Sequence, residues 1–66
     1  MDAYKMSIAS DKEVMRALRD LVEDEIFGVD EIITCRYNEH EDAIELICST
    51  LRGQNIRRLF SFKEEN

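Results

Sequence analysis

The chain has no proline, no tryptophan and only two glycines, Gly28 and Gly53. So few backbone breakers leave little room for long irregular loops, and two isolated glycines cannot build a GxGxxG turn or a P-loop. No window approaches the roughly 18 consecutive apolar residues that a membrane-spanning helix needs. Histidine occurs once, at His40, and cysteine twice, at Cys35 and Cys48. The two cysteines form no CxxC pair, and neither an HExxH nor a serine elbow is present, so the common signatures of zinc, redox and hydrolase chemistry are missing. Residues 1–5 show no basic stretch running into an apolar one, so no secretory signal is read there. The cytoplasm is the expected compartment, and both thiols are expected to be reduced and buried as small hydrophobes.

What is present is charge, unevenly spread. The net charge is −6 and charged residues make up 36% of the chain, above the usual quarter. Residues 20–45 hold ten carboxylates (Asp20, Glu23, Asp24, Glu25, Asp30, Glu31, Glu39, Glu41, Asp42 and Glu45) against the single base Arg36, whereas residues 46–63 hold Arg52, Arg57, Arg58 and Lys63 and no acid. An acidic chain lacks the basic footprint that phosphate binding requires, so direct DNA or RNA binding is not expected. Length allows a single small domain with a marginal core, and the 44% of hydrophobic residues recur regularly enough to argue against disorder.

Along the chain, Tyr4, Met6 and Ile8 alternate with Lys5 and Ser7, which predicts a half-buried strand over residues 3–9. Ser10 followed by Glu13 reads as a capping box, the serine hydroxyl taking the Glu13 amide. A helix is predicted from Asp11 to Phe27, with Val14, Met15, Leu18, Leu21, Val22 and Ile26 on one stripe and Gly28 as its left-handed stop. Residues 30–37 predict a strand with Ile33, Cys35 and Tyr37 on one face and Ile32, Thr34 and Arg36 on the other. Residues 41–52 support two readings. Asn38 as a cap, helical spacing of Ala43, Ile44, Ile47, Cys48 and Leu51, and Gly53 as a stop favour a helix. Alternation of Ile44, Leu46, Cys48 and Thr50 offers a strand instead, with residues 38–42 as a hairpin loop. Leu46 is exposed in the first reading and buried in the second. Ile56 to Lys63 predicts a last strand, and Glu64 to Asn66 a frayed tail.

The favoured fold is a two-layer α/β domain in the order βαβαβ, with two helices on one face of a three-stranded sheet. The alternative is βαβββ, one helix on a four-stranded sheet. Either leaves one sheet face uncovered, and an uncovered face on a small core suggests association.

No catalytic, cofactor-binding or metal-ligating residue is assigned. His40 with Glu39, Glu41 and Asp42 is the only candidate ligand cluster, but adjacent residues cannot all converge on one ion, and it reads as a solvated acidic turn. The functional expectation is a non-catalytic protein-binding module: a small acidic regulator, inhibitor or accessory subunit that docks to a partner. Its contact residues are expected among Asp20, Glu23, Asp24, Glu25, Asp30, Glu31, Glu39, Glu41 and Asp42, facing a basic surface on a partner protein. Glu23, Asp24 and Glu25 fall at the negative end of the first helix, where acids are locally unfavourable, a hint of a use other than stability. The alternatives are a homo-oligomeric structural domain and a nucleic-acid mimic that blocks a DNA- or RNA-binding protein. Neither a direct nucleic-acid contact nor a membrane contact is expected.

Overall fold

The computed structural model describes residues 3–63, and the expected frayed tail lies outside them. Two helices, α1 (Ala3–Ala9) and α2 (Lys12–Glu25), precede three strands, β1 (Val29–Asn38), β2 (Ala43–Thr50) and β3 (Asn55–Ser61). The strands form an antiparallel sheet in the order β1-β2-β3. The two-layer α/β class stands. The strand orders βαβαβ and βαβββ do not, because both helices come first and the sheet follows as one meander.

The first correction is α1. Alternation over residues 3–9 suggested a strand, yet the segment is helical. Ala3, Lys5, Met6 and Ala9 are strong helix formers, and only Ile8 is β-branched. Lys5, Ile8 and Ala9, at helical spacing, are its inward residues, and Tyr4 and Met6 are exposed. Seven residues are too few for alternation to outweigh composition.

The cap of α2 is one residue later than the sequence suggested. Asp11, not Ser10, is the N-cap: its carboxylate accepts from the amides of Glu13 at 2.8 Å and Val14 at 3.4 Å. Ser10 belongs to the end of α1, where its hydroxyl donates to the Met6 carbonyl. A carboxylate here satisfies two orphan amides and meets the positive end of the helix. The helix stops at Glu25, with the Ile26 amide still donating to the Val22 carbonyl, and Gly28 takes φ 95°, as expected of a left-handed glycine.

The second major correction is β2. Residues 43–50 are the central strand, not a helix, and Leu46 decides it, being fully buried at 0% exposure. β2 has a strand on each edge; the helices cover one of its faces, and the Arg36 and Arg57 side chains lie against Glu45 on the other, which is why Ala43, Ile44, Glu45 and Leu46 are buried in succession. A run of this kind satisfies helical and strand spacing alike. Residues 39–42 form the hairpin loop, with Asp42 at φ 50°, and Gly53, at φ 79°, serves the β2–β3 turn instead of a helix stop.

Both helices cover one sheet face. Val22 of α2 packs in a core with Val29, Leu46 and Cys48, joined by Leu18, Ile32, Cys35, Ile56 and Phe60. On the same face Lys5 of α1 stands over the rings of Tyr37 and Phe62. β1 reaches this face irregularly. Its register against β2 slips twice, between Val29 and Ile32 and between Ile32 and Thr34. Each slip is a bulge that adds a residue and resets the alternation. Ile32, opposite Cys48, therefore joins Cys35 and Tyr37 in the core, while Ile33 is exposed, reversing the assignment that plain alternation gave these two isoleucines.

Candidate functional site

Among the described residues, two surface features stand out, one at an end of the domain and one on a sheet face. The first lies at the end of the domain where α2 turns into β1 and β2 turns into β3. Phe27, directly after the helix, is 93% exposed, and Leu51, directly after β2, is 71% exposed. The Leu51 amide donates to the Gly28 carbonyl at 2.8 Å, which pins one turn to the other. The positive φ of Gly28 lets the chain reverse here, and a Leu51 methyl stands 3.9 Å from where a Cβ on this glycine would lie. Behind the two side chains is an open cleft of about 370 Å³, lined by Ile26, Gly28, Thr50, Arg52, Gln54 and Ile56 as well as Phe27 and Leu51.

Carboxylates cluster by sequence around this end. Of the expected contact residues, Asp20, Glu23, Asp24 and Glu25 lie on the last turns of α2, and Asp30 and Glu31 lie on the first residues of β1. Arg19 takes up two of them, pairing with Glu23 at 2.7 Å and Asp20 at 3.4 Å, and it also donates to the carbonyls of Val29 and Asp30. Glu25 meets Arg58 at 3.4 Å. Asp24, Asp30 and Glu31 are exposed and have no ion pair among the described residues.

The remaining three, Glu39, Glu41 and Asp42, sit in the β1–β2 loop at the other end of the sheet. The ten residues of β1 separate the two groups, about 30 Å at the rise of a strand. Asp42 is committed to the fold. It accepts from the Lys5 ammonium and the Tyr37 hydroxyl, each at 2.6 Å, and these two bonds hold its carboxyl below the ordinary range. Glu39, His40 and Glu41 are exposed, with the Glu41 amide tied back to the Asn38 side chain. His40 is thus on a solvated turn, and no three of the described His, Cys, Asp and Glu side chains gather as a metal site would require.

The second feature is the sheet face away from the helices. Glu45 lies at its centre, only 3% exposed. Arg57 Nε donates to one carboxylate oxygen at 3.0 Å; Arg36 Nε and Nη2 and Asn38 Nδ2 donate to the other, at 3.1–3.3 Å. The Arg57 bond leads in pulling the Glu45 carboxyl below its ordinary range, against the upward push of desolvation. One carboxylate thereby fixes two exposed guanidiniums, an arrangement that organises charge more than it adds stability.

Cys35 and Cys48 are free thiols on the helix-facing side, and burial pushes both above the ordinary thiol range. That disfavours the thiolate needed for nucleophilic work. Sequence reasoning missed Phe27, Leu51 and the Arg36–Glu45–Arg57 group. A signal was present for Phe27, a large apolar residue off the stripe of α2 and next to a glycine; Leu51 gave none, because it fitted the helical spacing read over residues 41–52. The triad had none, because it depends on the register of three strands. The chain matches no protein-family model, no curated protein and no solved structure.

Proposed function

We propose that the chain is a non-catalytic protein-binding module that docks through its Phe27–Leu51 end, with the neighbouring carboxylates meeting a basic rim on the partner. The observation that carries this reading is the 93% exposure of Phe27 on a turn held in place by the Leu51–Gly28 hydrogen bond. Burying a phenylalanine side chain is worth about 1.5–3 kcal/mol, and this fold leaves that free energy unused. An exposed aromatic side chain beside a cleft is a common centre of a protein interface, ringed by polar groups. Asp24, Asp30 and Glu31 are the exposed carboxylates that lie near Phe27 in sequence, and charges of this kind govern encounter rate and partner choice more than final affinity.

The test is capture by immobilised wild-type protein and by Phe27→Ser, both first shown to be folded by circular dichroism. A single stoichiometric partner should be retained by the wild type, lost by the variant, and released as salt is raised. Equal recovery by both chains would overturn the reading. So would sedimentation showing that the wild-type chain alone forms a dimer that Phe27→Ser dissolves, the outcome expected of a homo-oligomeric domain.

A further inference from the structure

We propose that the outer edge of β3 accepts an added strand from an acidic partner, an extended segment whose carboxylates meet Arg57 and Arg58. β3 is an edge strand, paired only with β2. Its main-chain polarity follows from two bonds at its ends: the Thr50 amide donates to the Gln54 carbonyl, and the Phe62 amide donates to the Asp42 carbonyl, each at 2.8 Å. In an antiparallel pair such residues alternate. Ile56, Arg58 and Phe60 therefore turn their main-chain groups toward β2, and Asn55, Arg57, Leu59 and Ser61 turn theirs outward. These four are also the exposed residues of the strand.

The other edge is not equivalent. β1 is interrupted by two bulges, and Arg19 occupies the carbonyls of Val29 and Asp30. β3 runs in unbroken register from Asn55 to Ser61, with neither bulge nor proline, so those two protections of an edge strand are missing there. One remains. Arg58 Nη1 donates to the Arg57 carbonyl at 3.1 Å, covering one of the outward groups.

Charge selects the occupant. Arg57 and Arg58 are the only charged residues of β3. A second copy paired along this edge would bring four guanidiniums to one seam, and like charges across a strand pair are destabilising. The outward residues Asn55, Arg57, Leu59 and Ser61 include no aromatic ring, so a nucleic-acid strand would find no stacking platform there. An acidic strand fits on both counts. Arg57 is already fixed by Glu45 through Nε, and its Nη groups donate to no other described residue. A carboxylate that draws Arg58 away from its long 3.4 Å pair with Glu25 also uncovers the Arg57 carbonyl for the incoming amide, so the acidic side chains and the main-chain pairing reinforce each other. Strand addition of this kind takes affinity from the backbone and selectivity from the side chains.

The experiment is amide hydrogen exchange by NMR with two synthetic nine-residue peptides at millimolar concentration, one of valine and threonine around a central Glu-Glu pair, whose side chains point to opposite faces as those of Arg57 and Arg58 do, and one with Lys-Lys in its place. The glutamate peptide should slow exchange at Arg57, Leu59 and Ser61 by about tenfold or more, with the amides of β1 unaffected. The lysine peptide should leave them unchanged. Leu59→Pro removes an outward amide that β2 does not use and should abolish the protection. Arg58→Gln, a change at a half-buried position that leaves the strand's main-chain pairing untouched, should weaken it even if the proline variant fails to fold. Protection by both peptides alike, by neither, or by raising protein concentration alone would overturn the proposal. Phe27→Ser should bind the glutamate peptide as the wild type does, which separates this edge from the docking end.

Discussion

The Leu51 amide and the Gly28 carbonyl are joined by a 2.8 Å hydrogen bond that ties the α2–β1 turn to the β2–β3 turn. Its consequence is that Phe27 and Leu51, 24 residues apart in sequence, border one cleft. Neither side chain contributes to the core beneath. The core instead depends on β2, whose central position gives it a paired strand on each edge and the helices over one face.

Leu46→Ala should therefore destabilise the domain severely. Leu46 is fully buried between Val22 and the flanking strands, and truncating such a residue costs about 2–5 kcal/mol. Urea denaturation should show a much lower midpoint, or no cooperative transition. A loss below about 1 kcal/mol would mean that the centre of the sheet has been misplaced.

The helix cap separates two neighbouring residues. Asp11→Ala removes the group that holds the amides of Glu13 and Val14 and should cost about 0.5–2 kcal/mol, whereas Ser10→Ala removes only a long bond to the Met6 carbonyl and should cost less. The two unfolding midpoints measured side by side decide which residue caps α2.

Gly28→Ala tests the turn that presents Phe27. A Cβ there would stand 3.9 Å from Leu51, an ordinary contact, so the cost comes from the positive φ alone and should be about 1–2 kcal/mol. Unfolding by urea gives the value. Gly28→Asn should cost less, because asparagine tolerates that backbone region better.

Acid should weaken the fold through Asp42 and Glu45. Both carboxyls titrate below their ordinary range in the folded chain, Asp42 chiefly because Lys5 donates to it and Glu45 chiefly because Arg57 does. A depressed folded pKa adds stability above the unfolded value, about 4 for these side chains, and loses it as pH falls through the folded values. Urea midpoints should thus hold steady from neutral pH down to the carboxylate range and drop below it. The double variant Asp42→Asn, Glu45→Gln should show a shallower drop.

The parts of this fold that could be read from sequence are those where local chemistry and tertiary structure agree. α2 carries a cap, a stripe and a glycine stop, and it formed within two residues of the expected bounds. The sheet was harder for two identifiable reasons. Residues 43–50 are apolar on both faces, so periodicity cannot separate a central strand from a buried helix. The bulges in β1 exchange the roles of Ile32 and Ile33, and a bulge leaves no mark in a strand of β-branched residues. In α1 the helix-forming composition was legible but was outweighed by a short alternation. At the docking end, the acids around Phe27 stood out in sequence. Their separation from Glu39 and Glu41 did not, because it follows only from β1 being a single ten-residue strand.

The most direct test of the docking account is isothermal titration of the captured partner into wild-type protein and into Phe27→Ala, with the unfolding midpoint of each chain taken on the same sample. The account predicts an unchanged midpoint and an affinity lowered by at least about tenfold, the loss of an aromatic anchor. An unchanged affinity, or a midpoint that collapses because Phe27 was holding the fold together, would contradict it.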